Sequence, residues 1–224
     1  MTLVLLHPLP LDRSAFASIE LDEVGPVVVP DLYGLGSTVT AWAEAVLDLV
    51  GPGPVVVVGC SVGGSCALEM AVRAPGRVRH LVLVGAKPGH RPEPAVRDAA
   101  VTVLAEQGIA AAWTRWWEPL FAPAAEPEVV DRARSIALAQ DVDDVIRGVR
   151  VFHGRPDRSL EARDLDVPVT IVEGEHDPIA RTGRTVVDGL RRGDLHAVPG
   201  AGHYVPLERP TALSRVVEAV VGSG

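Results

Sequence analysis

Residues 55–58 are four consecutive valines, and Gly59-Cys60-Ser61-Val62-Gly63 follows them directly. A β-branched run with Gly-Pro-Gly-Pro before it and glycine after it reads as a short strand buried on both faces. Residues 65–72 are good helix formers, and Pro75 ends that stretch. Ser61 therefore stands on a sharp strand-to-helix turn. Glycines on both sides supply the room that a strained turn needs. The serine also sits at a helix N-terminus, where free N–H groups and the helix dipole favour developing negative charge. Ser61 is thus a candidate nucleophile. An ordinary serine N-cap would need neither the glycines nor the valine strand. Cys60 is the local competitor, because a thiolate is the better nucleophile. Its place before the apex points it away from the cleft, as a small buried packing residue.

Short apolar runs predict strands near 2–7, 26–30, 55–59, 80–85, 168–173 and 194–198, with helices near 39–50, 61–74, 181–191 and 210–221. Their alternation implies an α/β, doubly wound, mostly parallel sheet of about six strands, covered on both faces. Between Gly85 and Pro168 only helices are predicted, near 93–107, 109–118, 126–139 and 141–151. That segment holds five of the nine aromatic residues, including Trp113, Trp116, Trp117 and Phe121. They are candidates for the wall of a substrate pocket, although their helical spacing also suits a plain hydrophobic stripe. At 224 residues the chain suits one compact domain.

A net charge of −8 argues against nucleic acid or an anionic membrane as partner. Cys60 and Cys66 lie too far apart for a disulfide within one elbow and helix. The Met1–Leu6 start has no basic region, and its apolar run is too short for a signal peptide or membrane span. A cytoplasmic protein is the expectation. No His/Cys/Asp/Glu set has metal spacing, so no metal and no cofactor are expected, and the partner is a small-molecule substrate. Oligomeric state is left open.

Three further segments accompany the elbow. Leu3-Val4-Leu5-Leu6-His7-Pro8-Leu9, Val169 through Asp177, and Pro199-Gly200-Ala201-Gly202-His203 resemble the oxyanion loop, acid loop and histidine loop of the α/β-hydrolase superfamily. The resemblance runs from residue 3 to roughly 220, and the order Ser, Asp, His matches. It implies a core of residues 1–85 and 168–224, with a helical cap, 86–167, inserted into it. The usual fold of that family opens with an antiparallel pair of strands, and with almost nothing before residue 2 a reduced sheet is expected. Within the superfamily, Arg155-Pro156-Asp157 and the stretch 202–210 look most like the enol-lactonase and small carboxylesterase group.

His203 is preferred to His176 and His196 because it lies on a loop beyond a strand's C-terminal end, where open α/β sheets place their sites. Asp177 is preferred to Glu173 and Glu175, since the strand ends just before it and Pro178 fixes the turn after it. The other family position for the acid reads Gly85-Ala86-Lys87, without a carboxylate. In the oxyanion loop Pro8 replaces the usual glycine and has no N–H. The resemblance then makes Leu9 N–H the donor paired with Val62 N–H, and His7 structural. The implied activity is cleavage of a small carboxylic ester or lactone through an acyl-enzyme. Non-hydrolytic chemistry on the same triad (lyase, perhydrolase or cofactor-free oxygenase) and a ligand-binding module remain open.

Overall fold

The structure, a computed structural model, describes residues 1–22, 24–180 and 183–222. Six strands form one sheet: β1 (Thr2–Leu6), β2 (Val27–Val28), β3 (Val55–Cys60), β4 (Val78–Val84), β5 (Val169–Gly174) and β6 (Gly193–Val198). Their order is β2-β1-β3-β4-β5-β6, and every pairing is parallel. The helices are α1 (Val39–Leu49), α2 (Val62–Arg73), α3 (Pro94–Ala112), α4 (Pro127–Leu138), α5 (Val142–Gly154), α6 (Ser159–Asp164), α7 (Gly183–Val187), α8 (Val205–Glu208) and α9 (Pro210–Gly222).

The valine run shows why the sheet has two apolar faces. Side chains alternate along a strand. Val55 and Val57 join Leu81, Leu83 and Ile171 under Trp42 of α1 and Met70 of α2. Val56 and Val58 join Leu3, Leu5 and Val82 under Leu213 and Val217 of α9. A central strand covered on both sides has no room for a polar alternation, and β3 is buried throughout. Edge strand β6 instead alternates between half-buried and exposed residues over Gly193–His196, and only its last residue, Val198, is buried.

Most predicted elements appear within a few residues of their place. The predicted helix 181–191 falls partly outside the described residues, and α7 covers only Gly183–Val187 of it. Two short helices, α6 and α8, have no counterpart in the reading. Pro206 sits in the first turn of α8, where a missing N–H costs nothing. At Gly108, φ 78° and ψ −179° split α3 into two helical pieces, at the predicted boundary between 107 and 109.

Polar contacts fasten the helical segment to the sheet core. Arg158 Nε and Nη2 donate to the two carboxylate oxygens of Glu69 on α2, at 2.9 and 3.0 Å. Glu69 is fully buried and also accepts from Thr40 Oγ1 at 2.9 Å. A buried carboxylate stripped of its partner costs about 3–5 kcal/mol, so this fork ties residue 158 firmly to α2. Nearer the site, His203 N donates to Leu120 O at 2.8 Å, and Ala122 N donates to Glu208 Oε2 at 2.9 Å.

Candidate active site

Ser61 follows β3 directly, with φ 54° and ψ −118°. Among the described residues it is the one non-glycine with positive φ. Such a conformation costs about 1–3 kcal/mol and persists only where the surroundings over-determine it. Here the Ser61 N–H is held by Val84 O at 2.9 Å. A Cβ on Gly63 would run into the Leu6 carbonyl, and one on Gly59 into the Gly63 carbonyl. Both obstacles are backbone and cannot swing aside, so the elbow admits glycine alone at these positions. Val62 opens α2, and its N–H has no acceptor within the helix.

The loops after β5 and β6 bring Asp177 and His203 together. His203 Nδ1 lies 2.8 Å from Asp177 Oδ2, and both side chains are buried. Asp177 Oδ1 accepts from the N–H groups of Ile179 at 2.7 Å and Ala180 at 3.2 Å. Burial works against the carboxylate charge. The hydrogen bond and charge of His203 and the two backbone donors outweigh it, and the Asp177 carboxyl lies below its ordinary value. An ionised Asp177 accepts the Nδ1 proton, which leaves the lone pair on Nε2. Nε2 is buried and has no hydrogen-bond partner in the protein. Gly85, at the end of β4, leaves the space that this pair fills. A Cβ there would approach His203 Nδ1 to 2.9 Å and Asp177 Oδ2 to 3.1 Å.

The other candidates have different partners. Glu173 Oε2 accepts from Gly183 N at 2.7 Å, and Glu175 Oε2 accepts from Gly200 N at 2.9 Å. His176 and His196 lie on the surface beside Glu175 and Asp194. The Cys60 thiol is buried, and burial pushes its pKa well up, away from thiolate chemistry. His7 accepts from Leu32 N at 2.9 Å through Nε2, and its Nδ1 faces Pro8 O at 3.3 Å. Burial lowers its pKa, so it stays neutral and ties the β1 loop to residue 32. The Leu9–Pro10 peptide is cis, and Leu9 O accepts from Tyr204 Oη at 3.0 Å.

Ser61, His203 and Leu9 line one cavity of about 360 Å³, a size suited to a small ligand. Trp116 and Trp117 line it as well. Trp113 and Phe121 do not, which corrects the pocket read from the sequence. Trp113 is fully buried, with its ring 5.9 Å from Phe121, and Phe121 lies 4.8 Å from Tyr204. The cause is a π-helical turn over Trp113–Trp117. Its wider winding changes the phase of the tryptophans from that of an ordinary helix.

Several functional neighbours went unread in the sequence. Glu208 accepts from Gly202 N at 3.0 Å and Tyr204 N at 3.3 Å, and so braces the loop carrying His203. Its signal was a carboxylate set among Val205, Pro206 and Leu207. Phe152, Arg155 and Lys87 also line the cavity, and nothing in their local pattern pointed there. Among the described residues, no group of three or more His, Cys, Asp or Glu is placed to hold a metal ion, and no helix is long and apolar enough to cross a membrane.

The chain resembles known proteins in sequence and in fold. The chain is 28% identical over 223 residues to the pimeloyl-(acyl-carrier protein) methyl ester esterase of Chromobacterium violaceum, which covers 89% of this chain and 86% of that protein. It is 27% identical over 178 residues to the 2-succinyl-6-hydroxy-2,4-cyclohexadiene-1-carboxylate synthase of Enterobacter sp. (strain 638), across 74% of this chain and 66% of the relative. A thermophilic esterase from Thermogutta terrifontis superposes with a TM-score of 0.90 at 22% identity, over 100% of this chain and 90% of that one. The family model for the alpha/beta hydrolase family matches residues 3–216. With its parallel sheet, strained serine elbow and ordered motifs, this chain belongs to the alpha/beta hydrolase family.

Proposed function

We propose that this chain is a serine hydrolase acting on a small carboxylic ester or lactone, with residues 86–167 as a cap over the cleft. The observation that carries the reading is His203. Its Nδ1 is engaged by Asp177, and its Nε2 is free of protein partners in a histidine that shares a cavity with the strained Ser61. That is the arrangement a general base needs, oriented on one side and available on the other.

In this reading His203 Nε2 takes the Ser61 hydroxyl proton as Oγ attacks the carbonyl carbon. The carbonyl electron pair moves to oxygen, where the Val62 and Leu9 N–H groups stabilise the charge. Collapse expels the alcohol, which receives the proton back from His203. Water then attacks the acyl-enzyme, with His203 again as base, and releases the acid and Ser61. Asp177 stays ionised throughout and stabilises the imidazolium. Trp116, Trp117 and Phe152 supply the apolar wall for acyl or leaving group.

Wild type should be labelled by a fluorophosphonate and should turn over short p-nitrophenyl esters. Ser61→Ala should lose the label and roughly 10³-fold or more of kcat. Labelling that persists in Ser61→Ala would remove the assignment. The synthase name of the Enterobacter relative supports a second reading, a lyase using the same triad. Fluorophosphonate labelling without any ester turnover would favour it.

A further inference from the structure

Three cationic side chains, Lys87, Arg91 and Arg155, line the cavity that holds Ser61, against one carboxylate, Glu93. In a chain of net charge −8 this is a local reversal of sign. None of the three has an ion-pair partner within 4.0 Å among the described residues. Arg155 is half-buried, donates to the Phe152 carbonyl, and holds its guanidinium 4.0 Å over the Phe152 ring. Burial draws its pKa down to about 10, still protonated near neutrality. Beside it, burial and then the Arg155 charge lower the pKa values of His90 and His153, which also line the cavity.

A wall with three cations against one lining carboxylate keeps an excess of positive charge that attracts an anion, although Asp157 and Glu93 offset part of the Arg155 charge, and low-dielectric walls focus the field. A guanidinium braced on a ring keeps its planar fork ready for a carboxylate. Val96, Trp116 and Phe152 line the same cavity and suit a short methylene chain. We infer that the substrate carries a carboxylate besides the scissile carbonyl, bound by Arg155, Lys87 and Arg91 while that carbonyl meets Ser61. The inference rests on the hydrolase reading above and narrows it to half-esters or lactones of dicarboxylic acids.

The test pairs mono-p-nitrophenyl adipate with mono-p-nitrophenyl adipamate, which has the same length and no charge. Wild-type kcat/KM should favour the adipate by roughly tenfold or more, the scale of one charge-assisted hydrogen bond. The ratio should fall toward one in Arg155→Gln and in the double variant Lys87→Gln/Arg91→Gln. The double variant changes exposed side chains only, so folding does not confuse its result. Turnover of both esters at equal efficiency by wild type would overturn the carboxylate subsite and leave the hydrolase reading intact. If neither ester is turned over, that reading fails and titration calorimetry with adipate decides the subsite. Binding that the double variant loses would sustain it, and no binding to wild type would overturn it.

Discussion

Ser61, Asp177 and His203 stand just past the C-terminal ends of β3, β5 and β6, whereas Trp113, Trp116 and Trp117 share one turn of helix and meet different surroundings. In the core, position along the chain is enough. Parallel strands deliver their C-terminal ends to one side of the sheet, so any residue just beyond them reaches the same crevice. In the helical segment the direction of each side chain depends on winding. One π turn buries Trp113 against Phe121 and leaves Trp116 at the cavity. Loops beyond a rigid sheet tolerate a residue or two of error. A helix face does not, because each residue turns the side chain by about 100°.

The largest effect should come from the core. Asp177→Asn keeps the shape of the acid but removes the charge that fixes the His203 tautomer, and kcat for p-nitrophenyl acetate should drop by up to ~10⁴-fold. Glu173→Gln and Glu175→Gln, whose carboxylates hold loop N–H groups instead, should keep most of kcat. The reverse pattern would show that the acid is misassigned.

Next come the two tryptophans, which should separate stability from binding. Trp113→Ala should lower stability by about 3–5 kcal/mol, read as a drop in Tm, without changing preference among acyl chain lengths. Trp116→Ala should raise KM for long-chain esters several-fold while acetate esters and Tm change little. Equal behaviour of both variants in both assays would mean that the π turn does not divide their roles.

The smallest effect is acid sensitivity of the buried pair. The Asp177 carboxyl sits below its ordinary value when folded, so its stabilisation is fully present above the unfolded carboxylate value, about 4. It is lost as pH falls through the lower folded value. The stability advantage of wild type over Asp177→Asn, measured by urea unfolding, should therefore narrow as pH is lowered below about 4. An unchanged gap down to strongly acid pH would show that the pair does not hold the proton as described.

The sheet was legible because β3 carries a β-branched run, and β1 and β4 short apolar runs, of the kind that suits a strand covered on both faces. The elbow was legible because Gly59 and Gly63 answer a purely local steric demand. Short pieces such as α6 and α8 were not, since they have too few residues to show a period. Glu208 escaped because its three backbone partners, Ala122, Gly202 and Tyr204, meet it only after folding.

The sequence by itself determined the order of strands and helices, the strained serine and the loops that carry histidine and acid. The first two follow from local sterics, turn chemistry and apolar periodicity, and the loops from their resemblance to the acid and histidine loops of the family. Tertiary structure alone decided which tryptophans face the cavity, and that Lys87, Arg91 and Arg155 join Ser61 around one space. Those outcomes depend on helix phase and on contacts between segments as distant as residues 61 and 155. Such contacts are set by packing after the chain has closed, when each side chain must fill the volume its neighbours leave.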